Sequence, residues 1–421
     1  MTTAGHADEA RTPAARGPDR NRWLTPGVAG IGVASLLSDL GHEIATSVLP
    51  SFLSTVLGAP AAALGLIEGI ADALSGAAKF AGGALADDPA RRRSVAVGGY
   101  VTTAELTALI GLANAAWQVG VLRAGAWTAR GLRVPARNAL LADAVDPAVY
   151  GRAYGFERAM DNAGAVGGPV LALALVAMIG IRDAILLSFI PGVFAAVAVV
   201  YAVAHLRKPQ PRSRERLRFV VRPLLRGRLG RLLAGVSIFE AGNMAATLLI
   251  LRATELLAPV QGADGAAVTA IALYVGYNVA ATLASFPAGR LADMIGARRV
   301  LLGGIAVFGL AYATFAVAGP DVAVLGAAFV VAGLAIGAVE TAQHSSVASL
   351  APEDLRGSAF GLLAAIQSAG DFIASVVTGL LWTLVSPVAA FAFATAAMGG
   401  AALVVVAGGS GGEEHRDPAP A

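Results

Sequence analysis

The stretch "SLLSDLGHEIATSVLP", residues 35–50, places Asp39, His42 and Glu43 inside about thirty mostly apolar residues. On a helix, Asp39 and Glu43 stand four apart on one face and His42 borders that face. Glu68 and Asp72 repeat the same spacing in a second apolar run. Two carboxyl groups this close in a low-dielectric medium resist double ionisation, so one is poised to hold a proton. A carboxyl that loads a proton from one side and releases it to the other is what a proton-coupled carrier needs. A proton moving down 100 mV supplies about 2.3 kcal/mol, and each pH unit adds about 1.4 kcal/mol.

Other ionisable groups interrupt later apolar runs. Arg123 lies in "VLRAGAW", and Glu157, Arg158 and Asp161 follow close together. A charge at the bilayer centre costs about 2.5–3.5 kcal/mol, so the four acids of the first two runs would cost on the order of 10 kcal/mol if ionised and unpaired. They must be protonated, paired or wet. The expected proton-coupling set is therefore Asp39, His42, Glu43, Glu68, Asp72, Arg123, Glu157 and Asp161, with Arg123 as the partner of Asp39 and Glu43. The second half offers Glu240, Asn243, Asn278, Glu340, Gln343, Gln367 and Asp371 as a substrate-cavity set, with His344 beside it. Arg252 and Glu255 read as a gate or anchor pair near a helix end. For each group the competing explanation is structural: an ion pair between helices, or a histidine that is only hydrogen-bonded.

The elements that carry these residues are membrane helices. Of 421 residues, 56% are hydrophobic and only 14% charged, against roughly 25% charged in soluble chains. Mean hydropathy is +0.69. The apolar runs are near ~20 residues long, which points to helices and not to the alternating ~10-residue strands of a barrel. Runs fall at 27–57, 61–85, 95–114, 117–140, 153–179, 184–205, 232–255, 268–288, 299–317, 322–349, 357–382 and 384–407. Twelve spans are expected. Residues 1–26 and 408–421 read as disordered cytoplasmic tails, and 206–231 as a basic cytoplasmic linker between halves 27–205 and 232–407.

Charge sets the orientation. Arg91, Arg92 and Arg93, then Arg133, Arg137 and Arg152, then Arg298, Arg299 and Arg356 read as linker charges on one side, together with the central run "RKPQPRSRERLRFVVRPLLRGRLGR". The other side shows "GAP", "GIRD", "APVQGADG" and "AGPD". By the excess of lysine and arginine in cytoplasmic loops, both termini are cytoplasmic. The two halves also repeat. "GALADDPARRR" at 83–93 matches "GRLADMIGARR" at 289–299, and "GRAYGF" at 151–156 matches "GSAFGL" at 357–362, both at one constant offset. An even number of spans per half makes this a parallel repeat about an axis along the membrane normal.

Two six-helix halves, a basic central loop and G-x-L-A-D…R-R after the second helix resemble the major facilitator superfamily, over roughly 28–407. The resemblance implies an all-α membrane fold of twelve helices. It also implies a cytoplasmic gate motif, here Gly83, Asp87, Arg91 and Arg92, and again Gly289, Asp293, Gly296 and Arg298. Asp88, Ala90, Met294 and Ala297 depart from that motif. "GAVGGPVLAL" at 164–173 resembles the family's antiporter signature at Gly164, Gly168 and Pro169, with Ala172 and Leu173 in place of its final glycines. That likeness implies export, and an arginine at the place of Arg123 implies proton coupling. "ARGLRVPARNALLAD" at 129–143 resembles a pattern of a bacterial subgroup of transporters.

Together these readings give a secondary transporter in a bacterial cytoplasmic membrane, exporting a small amphipathic or cationic compound by proton antiport and working as a monomer. Proton-coupled uptake, facilitated flux of a metabolite and a non-transporting sensor are the alternatives. No enzyme, cofactor or nucleic-acid partner is expected. There is no cysteine, "HEIAT" lacks the second histidine of H-E-x-x-H, and no Walker motif is present.

Overall fold

The computed structural model describes residues 23–206 and 221–407. The tail residues 1–22 and 408–421, and linker residues 207–220, lie outside the described residues. Among the described residues the chain is helical, without strands.

The rods follow the apolar runs, and their ends are set by local chemistry. α1 spans Pro26–Ser51. Proline suits its first turn because the missing N–H has no partner there anyway, and the Thr25 side chain accepts from the Val28 amide at 3.3 Å. A five-residue π turn, Phe52–Val56, extends it. α2 is Ala61–Ala86 and α3 is Pro89–Leu109, the latter capped by Asp88. α4 is Ala116–Asp143 and α5 is Tyr150–Ile179. α6 runs over 181–205 and breaks at Ser188.

The second half repeats the order. α7 covers 227–261 with an irregular turn at 243–245. Gly262, at φ +75°, bends the chain sharply into α8, residues 263–295. Only glycine adopts that backbone without strain. α9 is Ala297–Val317, α10 Val322–Leu350, α11 Arg356–Leu384 and α12 Pro387–Ala407.

Eight stretches are long and apolar enough to cross a membrane, and one of them, 227–295, holds both α7 and α8. The rods outside that set are α1, α2 and α4, which carry most of the buried ionisable groups of the first half. The halves meet chiefly where α2 packs on α11 and α5 on α8. α7 begins at Gly227, inside the segment expected as linker. Leu229, Leu232 and Leu233 there bury their side chains in the core of the second half.

Candidate functional site

At one end of the bundle a pair of symmetric contacts, here called the latch, joins the two halves. Asp87, just past the end of α2, accepts from the Ser358 amide at 2.8 Å and from the Ser358 hydroxyl. Asp293, near the end of α8, accepts from the Gly151 and Arg152 amides at 2.6 and 3.1 Å and from Arg152 Nε at 2.8 Å. Each carboxyl therefore binds the N-terminus of a helix in the opposite half, α11 or α5, where free amides and the helix dipole favour an anion. Burial pushes the Asp87 carboxyl up from its ordinary value, and the Ser358 hydrogen bonds pull against that.

The glycines allow the helices to come this close. A Cβ added at Gly289 would lie 2.1 Å from the Gly151 carbonyl oxygen, and one at Gly83 would lie 2.7 Å from the Gly357 carbonyl oxygen. The arginines of the motif divide in role. Arg92 pairs with Asp143, which also holds Arg356 at 3.3 Å across the halves. Arg91, in the first turn of α3, stays with the Asp88 that caps that helix, at 3.3 Å. Arg298 donates to the Val405 and Val406 carbonyls at the end of α12, and Gly296, at φ +95°, turns the chain into α9.

Away from this latched end, α4 presents a ladder of arginines to the acids of α1, α2 and α5. Asp39 does not pair with Arg123. It sits 3.2 Å from Arg130, with the His42 ring 3.4 Å away. His42 also touches Arg130, and its Nε2 lies 3.1 Å from Glu43. Arg123 instead meets Glu68 at 3.1 Å and donates to Thr46 at 3.0 Å, with its guanidinium 3.4 Å above the Trp127 ring. Trp127 donates to Asp72 at 3.0 Å. The reason is register: Arg130 is seven residues, two turns, further along the same face than Arg123 and so nearer the level of Asp39.

Arg133 and Arg137 are likewise not linker charges. Both are buried within α4. Arg133 donates to Ser38 at 2.6 Å and stacks on Tyr100, while Arg137 and Arg158 jointly bind Glu157 and Asp161 at 2.8–3.2 Å. Ser35 donates to Glu157 and accepts from Arg137. The glycines of α5 fix the approach of α1. A Cβ at Gly164 would meet the Leu36 carbonyl at 2.4 Å, and one at Gly168 would meet Glu43 Cβ at 2.4 Å. Pro169 lies one residue beyond, inside α5.

In the second half, Glu240 near the break in α7 is 4% exposed. It accepts from Gln343 at 3.0 Å and Asn243 at 3.4 Å. Gln367 donates to Gln343 at 3.0 Å. His344 Nδ1 lies 2.8 Å from the Glu340 carbonyl, and its ring clusters with Tyr154 and Phe360, which also touch each other. Asn278 donates to the Tyr274 carbonyl of its own helix at 3.0 Å. Arg252 and Glu255 do not form a pair. Arg252 donates to the Phe315 and Ala316 carbonyls, and Glu255 accepts from Trp382. The exposed carbonyls at the end of α9 are nearer acceptors than an acid three residues away on the same helix.

Between the halves lies a cavity of about 1000 Å³. Its wall carries Lys79, Arg130, Arg133, Arg137 and Arg158 against Asp72, Asp161 and Asp371, with Gln367, Ser368, Trp127, Phe80 and Phe372 among them. Lys79 bridges the halves by donating to Ser368 at 2.7 Å. Of the expected sites, Asp72, Asp161, Gln367 and Asp371 line this cavity directly, and Glu240 and Gln343 stand behind Gln367. Glu340 and Asn278 are not on its wall.

The sequence matches the family model of the Major Facilitator Superfamily over residues 31–276 and 232–420. The chain belongs to this superfamily. An uncharacterized MFS-type transporter of Methanocaldococcus jannaschii is 28% identical over 380 residues, covering 89% of this chain and 93% of the relative. An uncharacterized protein of Mycobacterium tuberculosis is 26% identical over 359 residues, covering 85% and 87%. Solved structures share the fold. A bacterial homologue of the iron transporter ferroportin, captured outward-facing, superposes with a TM-score of 0.71 at 18% identity over 91% of this chain and 99% of that one. The Escherichia coli fucose:proton symporter gives 0.72 at 14% identity over 92% and 99%.

The superfamily fold places these charged residues around a cleft between two halves, where secondary transporters keep their binding sites. Sequence reasoning left Arg130, Lys79 and Ser368 unassigned and read Arg133 and Arg137 as linker charges. A signal for the arginines was present. Arg123, Arg130, Arg133 and Arg137 are spaced seven, three and four apart, the spacing of a single helix face.

Proposed function

We propose that this superfamily member is a proton-coupled secondary transporter that exports a small amphipathic compound by rocking its two halves about the central cavity. The observation that carries the reading is the pair of latches beneath that cavity. Asp87 and Asp293 each cap a helix of the opposite half, at the end where Trp23 packs on Phe156 and Phe286 and where Arg298 holds the end of α12. Such caps break and re-form without disturbing either half, as alternating access requires. The excess of arginine near that end supports a cytoplasmic orientation. The state described is then closed to the cytoplasm.

Coupling in the first half runs through Asp39, His42 and Glu43. Arg130 lines the cavity and is held by Asp39. Protonation of Asp39 removes the charge that holds Arg130 and frees that guanidinium toward the cavity, so proton and substrate compete for one cation. The wall supports a substrate with an apolar body. Among the described residues, Lys79 and Arg133 have no carboxylate within the 4 Å of an ion pair, so the wall does not single out a cationic compound. Both signs are available beside Trp127, Phe80 and Phe372.

The test is accumulation of a compound panel in cells expressing wild type or Asp39→Asn, with and without a protonophore. Lower accumulation in wild type alone, abolished by the protonophore, is expected. Higher accumulation in wild type would turn the reading to uptake.

A further inference from the structure

Most buried acids of the first half have a cation. Asp39 has Arg130, Glu68 has Arg123, and Glu157 and Asp161 share Arg137 and Arg158. Glu240 is built differently. It is 4% exposed, and no lysine, arginine or histidine nitrogen lies within 4 Å of it among the described residues. Its two recorded partners are the side-chain amides of Gln343 and Asn243. α11 presses on it so closely that a Cβ at Gly370 would lie 2.2 Å from Glu240 Cβ.

An ionised carboxylate buried without a cation is costly, whereas a carboxylic acid fits an amide shell. A primary amide offers a donor on one side and an acceptor on the other. Turning Gln343 and Gln367 together by half a rotation serves the neutral form: Gln343 Oε1 then accepts from the Glu240 hydroxyl, and Gln343 Nε2 donates to Gln367 Oε1. The same side chain leads outward: Gln367 donates to Gln343 at 3.0 Å, and Gln367 lines the cavity.

We propose that Glu240 is a second proton-carrying carboxyl, reached from the cavity through Gln367 and Gln343, and that it holds its proton in the latched state. The step is a reversible proton transfer between cavity water and a Glu240 oxygen, with no other bond made or broken. The transport role of this site rests on the proposed function, but its protonation does not. The groups that face it are few. α11 brings Asp371, α10 brings Glu340 and His344, α9 brings Tyr312, and α12 has no ionisable residue. On the cavity wall stand the cations Lys79, which is engaged by Ser368, and Arg130, Arg133, Arg137 and Arg158 of the first half. Asn243 is braced by Tyr312, whose hydroxyl donates to it at 3.3 Å and accepts from the Met244 amide at 3.1 Å. The proton site is therefore tied to the irregular turn of α7, the place where the helix can flex.

The experiment is infrared difference spectroscopy of the purified protein at neutral pH, reading the C=O stretch of protonated carboxyl groups before and after transfer to heavy water. Wild type is expected to show a protonated-acid band that shifts on exchange. Glu240→Gln, which keeps the shape and the hydrogen bonds, is expected to lose it, and Asp39→Asn to keep it. Gln343→Leu is expected to retain the band but to exchange about tenfold more slowly, one lost relay hydrogen bond being worth that factor. A band that survives Glu240→Gln, or exchange unchanged in Gln343→Leu, overturns the proposal. Loss of the band in Glu240→Gln while the protonophore-sensitive flux stays at the wild-type level overturns the transport role and leaves a structural acid. If wild type shows no such flux, the proposed function fails while the infrared result still decides the proton site.

Discussion

Removing the Asp293 carboxyl tests whether the latch holds the observed state. Asp293 accepts three hydrogen bonds, two from free amides at the start of α5 and one from Arg152 Nε. In the open state those amides return to water, so the net loss is smaller than the gross bond strength. Deleting a helix cap costs about 1–2 kcal/mol, and a partly exposed ion pair adds up to about 1 kcal/mol. The side chains are 8% and 21% exposed, which places this pair at the upper part of that range. Asp293→Ala should thus favour opening by about 2–3 kcal/mol, a shift of about 30- to 150-fold in the ratio of latched to open protein. Asp293→Asn retains an acceptor but no charge and should fall between. Because the chain has no cysteine, Ala148→Cys and Met294→Cys can be spin-labelled as the only thiols. Both positions are exposed on either side of the latch. Double electron–electron resonance should give one short distance in wild type and a second, longer population in Asp293→Ala. An unchanged distribution in a variant that still melts cooperatively would refute the reasoning, because the caps would then be incidental to the closed state.

Three further outcomes follow from the same contacts. Gly361→Leu should also open the latched end, because a Cβ there would lie 2.7 Å from Gly83 Cα and 2.9 Å from the Lys79 carbonyl; the same spin-label pair reads it, with Gly379→Leu, a position open to space, as the control. Arg130→Gln should lower thermal stability by about 1–3 kcal/mol, because Asp39 loses its arginine and keeps the His42 ring at 3.4 Å. The double variant with Asp39→Asn should recover part of that loss, and melting curves of the four proteins give a coupling of about 0.5–3 kcal/mol. Gly164→Val should separate α1 from α5, since its Cβ would meet the Leu36 carbonyl at 2.4 Å; a cost above about 2 kcal/mol in a denaturant melt is expected from overpacking.

The fold was legible because apolar run length and repeat offset are properties of the chain alone. The contacts of Asp87 and Asp293 across the halves were legible for the same reason: the two acids fall at one offset, and each meets a helix start that also repeats. The pairing of the buried charges was not. Asp39 could reach either Arg123 or Arg130 on a helix face, and the choice depends on the axial level at which α4 crosses α1. That level is set by contacts such as Gly164 against Leu36 and Arg133 on Ser38, which span distant parts of the sequence. Arg133 and Arg137 misled for a related reason. An arginine near a helix end usually marks a membrane boundary, but these two have buried partners, Tyr100 and the Glu157–Asp161 pair, that only the folded structure brings beside them.

The two halves repeat in their backbone contacts but differ inside. Gene-level symmetry preserves the backbone contacts at the latch, where glycines and helix starts recur. It does not preserve the interior. The position in the second half matching Arg130 is Ile336, and those matching Arg133 and Arg137 are Val339 and Gln343. The helix that is an arginine ladder in one half is nearly uncharged at the same level in the other. Glu240, left without those arginines, takes its hydrogen bonds from the side-chain amides of Gln343 and Asn243. An ion-paired lattice keeps its charge through small movements, since each acid has a cation to follow it. An amide-bound acid has only its proton to balance it, and any motion that lets in water changes that balance. In the first half a proton on Asp39 would release a guanidinium, because Arg130 is its partner, whereas at Glu240 in the second half the proton alone balances the acid.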